Sequence, residues 1–103
     1  MSNKVRILIV DDESVVRQAF ERILSSAHCD VVAVSNGPEA LQVMARQPFD
    51  VVLLDLRMPG MDGLTVLRTI KQNWPESEVV VVTGYAALQT AKDAMAVLQL
   101  FKA

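Results

Sequence analysis

Asp11, Asp12, Asp55 and Thr83 each offer side-chain oxygen at the end of an apolar run, and together they define the chemistry open to this sequence. Val5-Arg6-Ile7-Leu8-Ile9-Val10 leads into Asp11-Asp12, Val51-Val52-Leu53-Leu54 into Asp55, and the apolar run 79–82 into Thr83. A carboxylate closing an unbroken apolar run is costly unless it has a use. Two carboxylates about 4 Å apart repel by roughly 4 kcal/mol at an effective dielectric of about 20, so gathering three calls for a divalent cation. A ligand set made only of oxygen selects a hard ion. Mg²⁺ fits best, being satisfied by a few carboxylates with water and phosphate oxygens, and Ca²⁺ is the lesser candidate. Such an ion would neutralise an incoming phosphoryl group together with the carboxylate that attacks it. Asp55 is then a nucleophile for aspartyl-phosphate chemistry, with Thr83 hydrogen-bonding a phosphoryl oxygen. Helix capping is the competing reading of Asp11 and Asp12, which precede a helical segment. It leaves Asp55 unexplained.

Positioning these groups requires an alternating architecture. Four short apolar runs, 5–10, 31–34, 51–54 and 79–82, are separated by segments with apolar residues at helical spacing. Val16, Phe20, Ile23, Leu24 and Ala27 stripe a first helix over about 14–26, with Arg17, Glu21 and Arg22 mostly outside the stripe. Asn36-Gly37-Pro38 opens a second helix carrying Ala40, Leu41, Met44 and Ala45, which Pro48 stops. The third bears Leu64, Leu67, Ile70 and Trp74 on one side and ends before Pro75. Runs apolar throughout, rather than alternating, are what strands covered on both faces require. The expected fold is α/β, a doubly wound parallel sheet with right-handed crossovers, whose ligands bind at the carboxyl ends of the strands. All four oxygen-bearing residues lie on that edge.

Composition excludes several classes. The 103 residues, 51% hydrophobic, suit one globular domain over 1–103 with a real core. Ten Lys and Arg against twelve Asp and Glu give a net charge of −2, with no basic block for nucleic acid or a membrane surface. The single cysteine, Cys29, has no disulfide or zinc partner and reads as a small half-buried residue in a reducing compartment. The one histidine, His28, reads as a loop residue. The N-terminal apolar stretch is too short to span a membrane and runs straight into acid, so the protein is expected in the cytoplasm.

Three motifs carry a family resemblance: the acidic pair Asp11-Asp12, the run DVVLLDLRMPGMDG over 50–63, and VVVVTGY over 79–85. With these, the chain resembles the receiver domain of bacterial two-component response regulators over residues 4 to about 95. The resemblance implies a flavodoxin-like doubly wound sheet and a site in which Asp55 accepts a phosphoryl group from a histidine kinase. It implies Mg²⁺ held by the carboxylates of Asp12 and Asp55 and the main-chain carbonyl of Arg57, with Asp11 helping from nearby. It also implies that Pro59-Gly60 shapes the loop beside the metal, that Thr83 swings toward the phosphoryl group as half of a switch, and that Gly84 leaves room for phosphate. Arg57 and Tyr85 flank the site where the family varies. Tyr85 taken alone reads as a surface aromatic, and Met58 and Met61 as loop anchors.

The ending departs from the family. A Gly-Ala loop, a fifth strand with an aromatic and a Lys-Pro pair, and a final helix have no recognisable counterpart, so the sheet is expected to be incomplete at its C-terminal end. Aligning Lys102 with the family's lysine requires a three-residue deletion and puts Gln99 at the switch aromatic. Leu88, Ala91, Met95 and Leu98 instead continue at helical spacing and imply one helix over 88–101. A final helix hides on the order of 300 to 400 Å² of apolar surface, up to roughly 8 to 10 kcal/mol, so a homodimer or segment-swapped oligomer is expected to cover the exposed face.

The leading functional reading is a phosphoacceptor that promotes only its own phosphorylation and hydrolysis, not an enzyme turning over a separate substrate, and that engages an output domain or protein partner. A receiver-like binding or dimerisation module that no longer switches is the alternative. A Mg²⁺-dependent phosphatase ranks below both, because no segment supplies a substrate cap.

Overall fold

The computed structural model describes residues 4–25, 29–56 and 63–82. Strands and helices alternate as β1 (Val5–Val10), α1 (Ser14–Ser25), β2 (Cys29–Val34), α2 (Gly37–Arg46), β3 (Val51–Asp55), α3 (Gly63–Asn73) and β4 (Glu78–Val82). The strands are parallel and ordered β2-β1-β3-β4. From β1 the chain steps outward to β2, then returns past β1 to β3 and β4. That is the doubly wound, flavodoxin-like arrangement, and its order reverses between β1 and β3.

Each strand divides its side chains between two faces. Leu8, Val10, Val52 and Leu54 pack with Ala40, Met44, Val66 and Ile70 of α2 and α3, while Ile7, Ile9, Val51 and Leu53 pack with Val16, Phe20 and Leu24 of α1. Every residue of β3 is buried, which accounts for its lack of polar alternation. The outer strands are less covered, with Val32 38% and Val81 39% exposed.

The helical stripes are narrower than the sequence suggests. In α3 the buried positions are Gly63, Val66 and Ile70, with Leu67 and Trp74 half-buried beside them and Leu64 43% exposed. Three of the four expected residues, Leu67, Ile70 and Trp74, therefore lie on this face, which begins at a glycine rather than at Leu64. Ala45 is likewise exposed, and Ile23 and Leu41 are only half-buried. β2 begins two residues before the expected run, taking in half-buried Cys29 and Asp30, because parallel pairing with Val5 and Arg6 continues the ladder there. Asn36 caps α2, its Oδ1 accepting the Glu39 N–H at 2.9 Å, and Pro38 occupies the first turn.

At the amino edge of the sheet the strands are tied by polar bonds. The Asp50 carboxylate accepts the Arg6 N–H at 2.8 Å, and the Asp50 carbonyl accepts the Glu78 N–H at 3.0 Å. Buried Ser77 donates its hydroxyl to the Phe49 carbonyl at 2.6 Å, while Lys71 donates to the Ser77 and Pro75 carbonyls. Ser77→Ala leaves the Phe49 carbonyl without that donor and is expected to lower stability by about 1 to 3 kcal/mol, read by urea denaturation. No helix among the described residues is long and apolar enough to cross a membrane.

Candidate functional site

The sheet register brings the acids together. β1 pairs with β3 as Ile7 with Val51 through Val10 with Leu54, so one further step sets Asp11 beside Asp55. Strand alternation gives both the parity of Ile9 and Leu53, on the α1 side. They stand at the reversal of strand order, where doubly wound sheets open a crevice. Asp12 follows on the turn into α1, and one carboxylate oxygen from each of Asp11, Asp12 and Asp55 lies within 4.8 Å of the others. Asp11 and Asp55 are each 6% exposed, whereas Asp12 is open to solvent. The structure thus unites three of the residues singled out in the sequence. Thr83 and Arg57 lie outside the described residues, as do His28, the loop through Met58, Pro59, Gly60 and Met61, and everything from Gly84 on, including Tyr85, Gln99, Lys102 and the helix expected over 88–101.

Asp11 also takes part in the turn that leads into α1. Asp11 Oδ1 accepts the Glu13 N–H at 2.9 Å, and the Glu13 carbonyl accepts the Arg17 N–H at 3.1 Å to begin α1. One oxygen of Asp11 therefore serves the turn. The main-chain N–H of Asp11 donates to the Val34 carbonyl at 3.1 Å, extending the β1–β2 ladder one residue past the strands.

Burial raises the Asp11 pKa; the Glu13 N–H bond lowers it, and the charges of Asp55, Asp12 and Glu13 raise it further. The net shift is upward, and no basic group is among these influences. An acid whose native pKa exceeds its unfolded value is tolerated best when protonated. Its cost to folding is absent below the ordinary carboxylate value of 3.8 and fully present above the raised native one. Cation-free protein should therefore lose stability relative to Asp11→Asn as pH rises through that window, and saturating Mg²⁺ at neutral pH should restore it. Urea midpoints of both proteins across pH, with chelator and with Mg²⁺, measure this. A wild-type minus variant difference that does not vary with pH would contradict it.

All-oxygen donors, two of them buried and mutually repelling, fit a hard divalent cation. The set does not suit a thiolate- or imidazole-seeking metal, since neither ligand type joins the cluster among the described residues.

Gly63 ends the motif over 50–63 and is the first residue of α3. A Cβ built there would stand 2.5 Å from Leu56 Cα and 2.9 Å from its carbonyl oxygen, so only glycine lets the start of α3 close against the residue after Asp55. Alanine would gain about 1 kcal/mol in helix propensity. A clash with main chain outweighs that, and Gly63→Ala is expected to lose about 1 to 3 kcal/mol net and displace the end of β3. Thermal unfolding and Mg²⁺ affinity would both register the change.

Comparison with known proteins agrees with this geometry. Residues 7–100 match the response regulator receiver domain family. The chain is 41% identical over 88 residues to the DNA-binding transcriptional regulator NtrC of Escherichia coli (strain K12), covering 85% of this chain and 19% of that protein. It is 37% identical over 93 residues to the response regulator protein PilR of Pseudomonas aeruginosa, covering 90% and 21%. The chain thus spans about a fifth of the length of these curated relatives. Among solved structures, the signal receiver domain of a LuxO repressor protein from Vibrio parahaemolyticus superposes with a TM-score of 0.84 at 23% identity, covering 95% of this chain and 89% of that one. The chemotaxis protein CheY4 of Vibrio cholerae gives 0.83 at 21%, covering 95% and 98%. At these identities the structural likeness is one of fold.

Proposed function

The chain belongs to the response regulator receiver domain family, and on that premise we propose that it is a Mg²⁺-dependent phosphoacceptor whose Asp55 takes a phosphoryl group from a histidine kinase. The observation that carries this reading is the convergence of Asp11, Asp12 and Asp55 oxygens within 4.8 Å. Asp12 and Asp55 would hold the ion through their carboxylates with the Arg57 carbonyl, with Asp11 helping from nearby. When bound, Mg²⁺ supplies neutralising charge to the phosphoryl oxygens. An Asp55 carboxylate oxygen attacks phosphorus, the P–O bond forms as the P–N bond to the kinase histidine breaks, and the imidazole nitrogen leaves with the electron pair. Thr83 donates its hydroxyl to a phosphoryl oxygen. The chain acts as one receiver unit in the cytoplasm, turns over no separate substrate, and passes the change near Thr83 to an output domain or partner protein.

Incubation with a small phosphodonor, with Mg²⁺ or with chelator, followed by intact mass measurement, tests this. A phosphoryl adduct is expected only with Mg²⁺. No adduct under any condition would leave the binding or dimerisation module instead.

We also propose a homodimer or segment-swapped oligomer, in which a second copy covers the outer strands that leave Val32 and Val81 exposed. Size-exclusion chromatography returning a stable monomer at low concentration would count against it.

A further inference from the structure

Arg17 lies mostly outside the apolar stripe of α1, yet it is half-buried and its Nη1 donates to the main-chain oxygen of Asp11 at 2.8 Å. A guanidinium beside an acidic cluster invites an electrostatic reading, and the bond it makes offers another. Its bond is to the peptide joining Asp11 to Asp12. That peptide carries an unusual demand. Consecutive side chains of an extended chain point to opposite faces, whereas Asp11 and Asp12 must both bring an oxygen within 4.8 Å of Asp55. The chain therefore has to turn at this peptide, and the turn is held on three sides. The Asp11 N–H is tied to Val34, the Asp11 carboxylate to the Glu13 N–H, and the Asp11 carbonyl to Arg17. Only the last of these bonds comes from a side chain on the body of α1, which is itself packed on the sheet through Val16 and Phe20.

We propose that Arg17 is a positioning residue of the cation site, its guanidinium fixing the Asp11–Asp12 peptide so that two adjacent carboxylates face one ion. This rests on the reading of Asp11, Asp12 and Asp55 as a divalent-cation site. The two roles open to an arginine here differ in sign. A cation acting through its field weakens Mg²⁺ uptake, so its removal would tighten binding. A positioning residue preorganises the ligands, so its removal loosens binding.

Calorimetric titration of the full chain with Mg²⁺ decides between them. Arg17→Met is expected to bind about 10- to 100-fold more weakly, the usual cost of losing a group that orients metal ligands. Arg17→Lys keeps a cationic donor for the carbonyl; it should recover most of the loss and guards against a misfolded first variant. Arg22→Met, an exposed arginine on the same helix, should bind as wild type does. Amide hydrogen exchange of Glu13 in cation-free protein reads the turn directly and should quicken in Arg17→Met alone. Equal or tighter Mg²⁺ binding by a folded Arg17→Met overturns the proposal and leaves the site intact. Failure of the wild-type chain to take up Mg²⁺ overturns the site itself, and this proposal with it.

Discussion

Replacing Asp55 by Asn should abolish phosphoryl uptake by this chain while leaving it folded and, without divalent cations, more stable than wild type. The loss follows from chemistry: an amide oxygen cannot form the acyl phosphate, and removing a nucleophile outright commonly lowers rate by more than about 10³-fold. The gain follows from the geometry. Asp55 is 6% exposed and its carboxylate lies within 4.8 Å of those of Asp11 and Asp12. Each such repulsion is worth between about 1 and about 3 kcal/mol, depending on the local dielectric. Asn keeps the shape and removes the charge, so the urea midpoint in chelator should rise as the phosphoryl adduct disappears. A phosphodonor that labels Asp55→Asn as fully as wild type would contradict the assignment.

Leu54→Ala should be the most damaging single truncation beside the site. Leu54 is wholly buried in the layer between the sheet and α2–α3, among Val10, Val52, Val66 and Ile70. Removing its side chain there opens a cavity in a tightly packed layer, at about 2 to 5 kcal/mol. Against a net stability of about 5 to 15 kcal/mol for a domain, that is a large fraction. Leu54 immediately precedes Asp55 and pairs with Val10, the residue before Asp11. A loosened register at that pair separates the two acids, so Mg²⁺ affinity should fall along with the urea midpoint. An unchanged midpoint would mean that the core does not depend on this layer.

The strands were legible because burial on both faces leaves nothing but apolar residues. β1 and β3 read directly as unbroken runs, and the acids that end them mark the functional edge before any contact is known. The outer strands were harder. β2 starts at Cys29 and Asp30, where polarity hides a ladder that the register with Val5 and Arg6 continues. Only the start of the α3 face was misplaced, at Leu64, because Gly63 contributes no apolar side chain to a periodicity count, although its lack of a side chain is what lets the helix close on Leu56. Arg17 and Ser77 were missed for a related reason. Each acts on a main-chain carbonyl distant in sequence, at Asp11 and Phe49, and a pattern of residue types carries no mark of which carbonyl needs a donor. Thr83 was legible as the oxygen-bearing end of the run 79–82, whereas Arg57 entered through the family resemblance, and both remain part of the proposed function.

The claim on which all of this depends is that acids delivered by β1 and β3 hold one divalent cation beside the phosphoacceptor. Anomalous diffraction from crystals grown with Mn²⁺ in place of Mg²⁺ tests it most directly. The expected map has a single strong peak within bonding distance of carboxylate oxygens from Asp12 and Asp55, with Asp11 close by. A map with no peak there at saturating Mn²⁺, or with the ion bound elsewhere on the chain, would contradict the account.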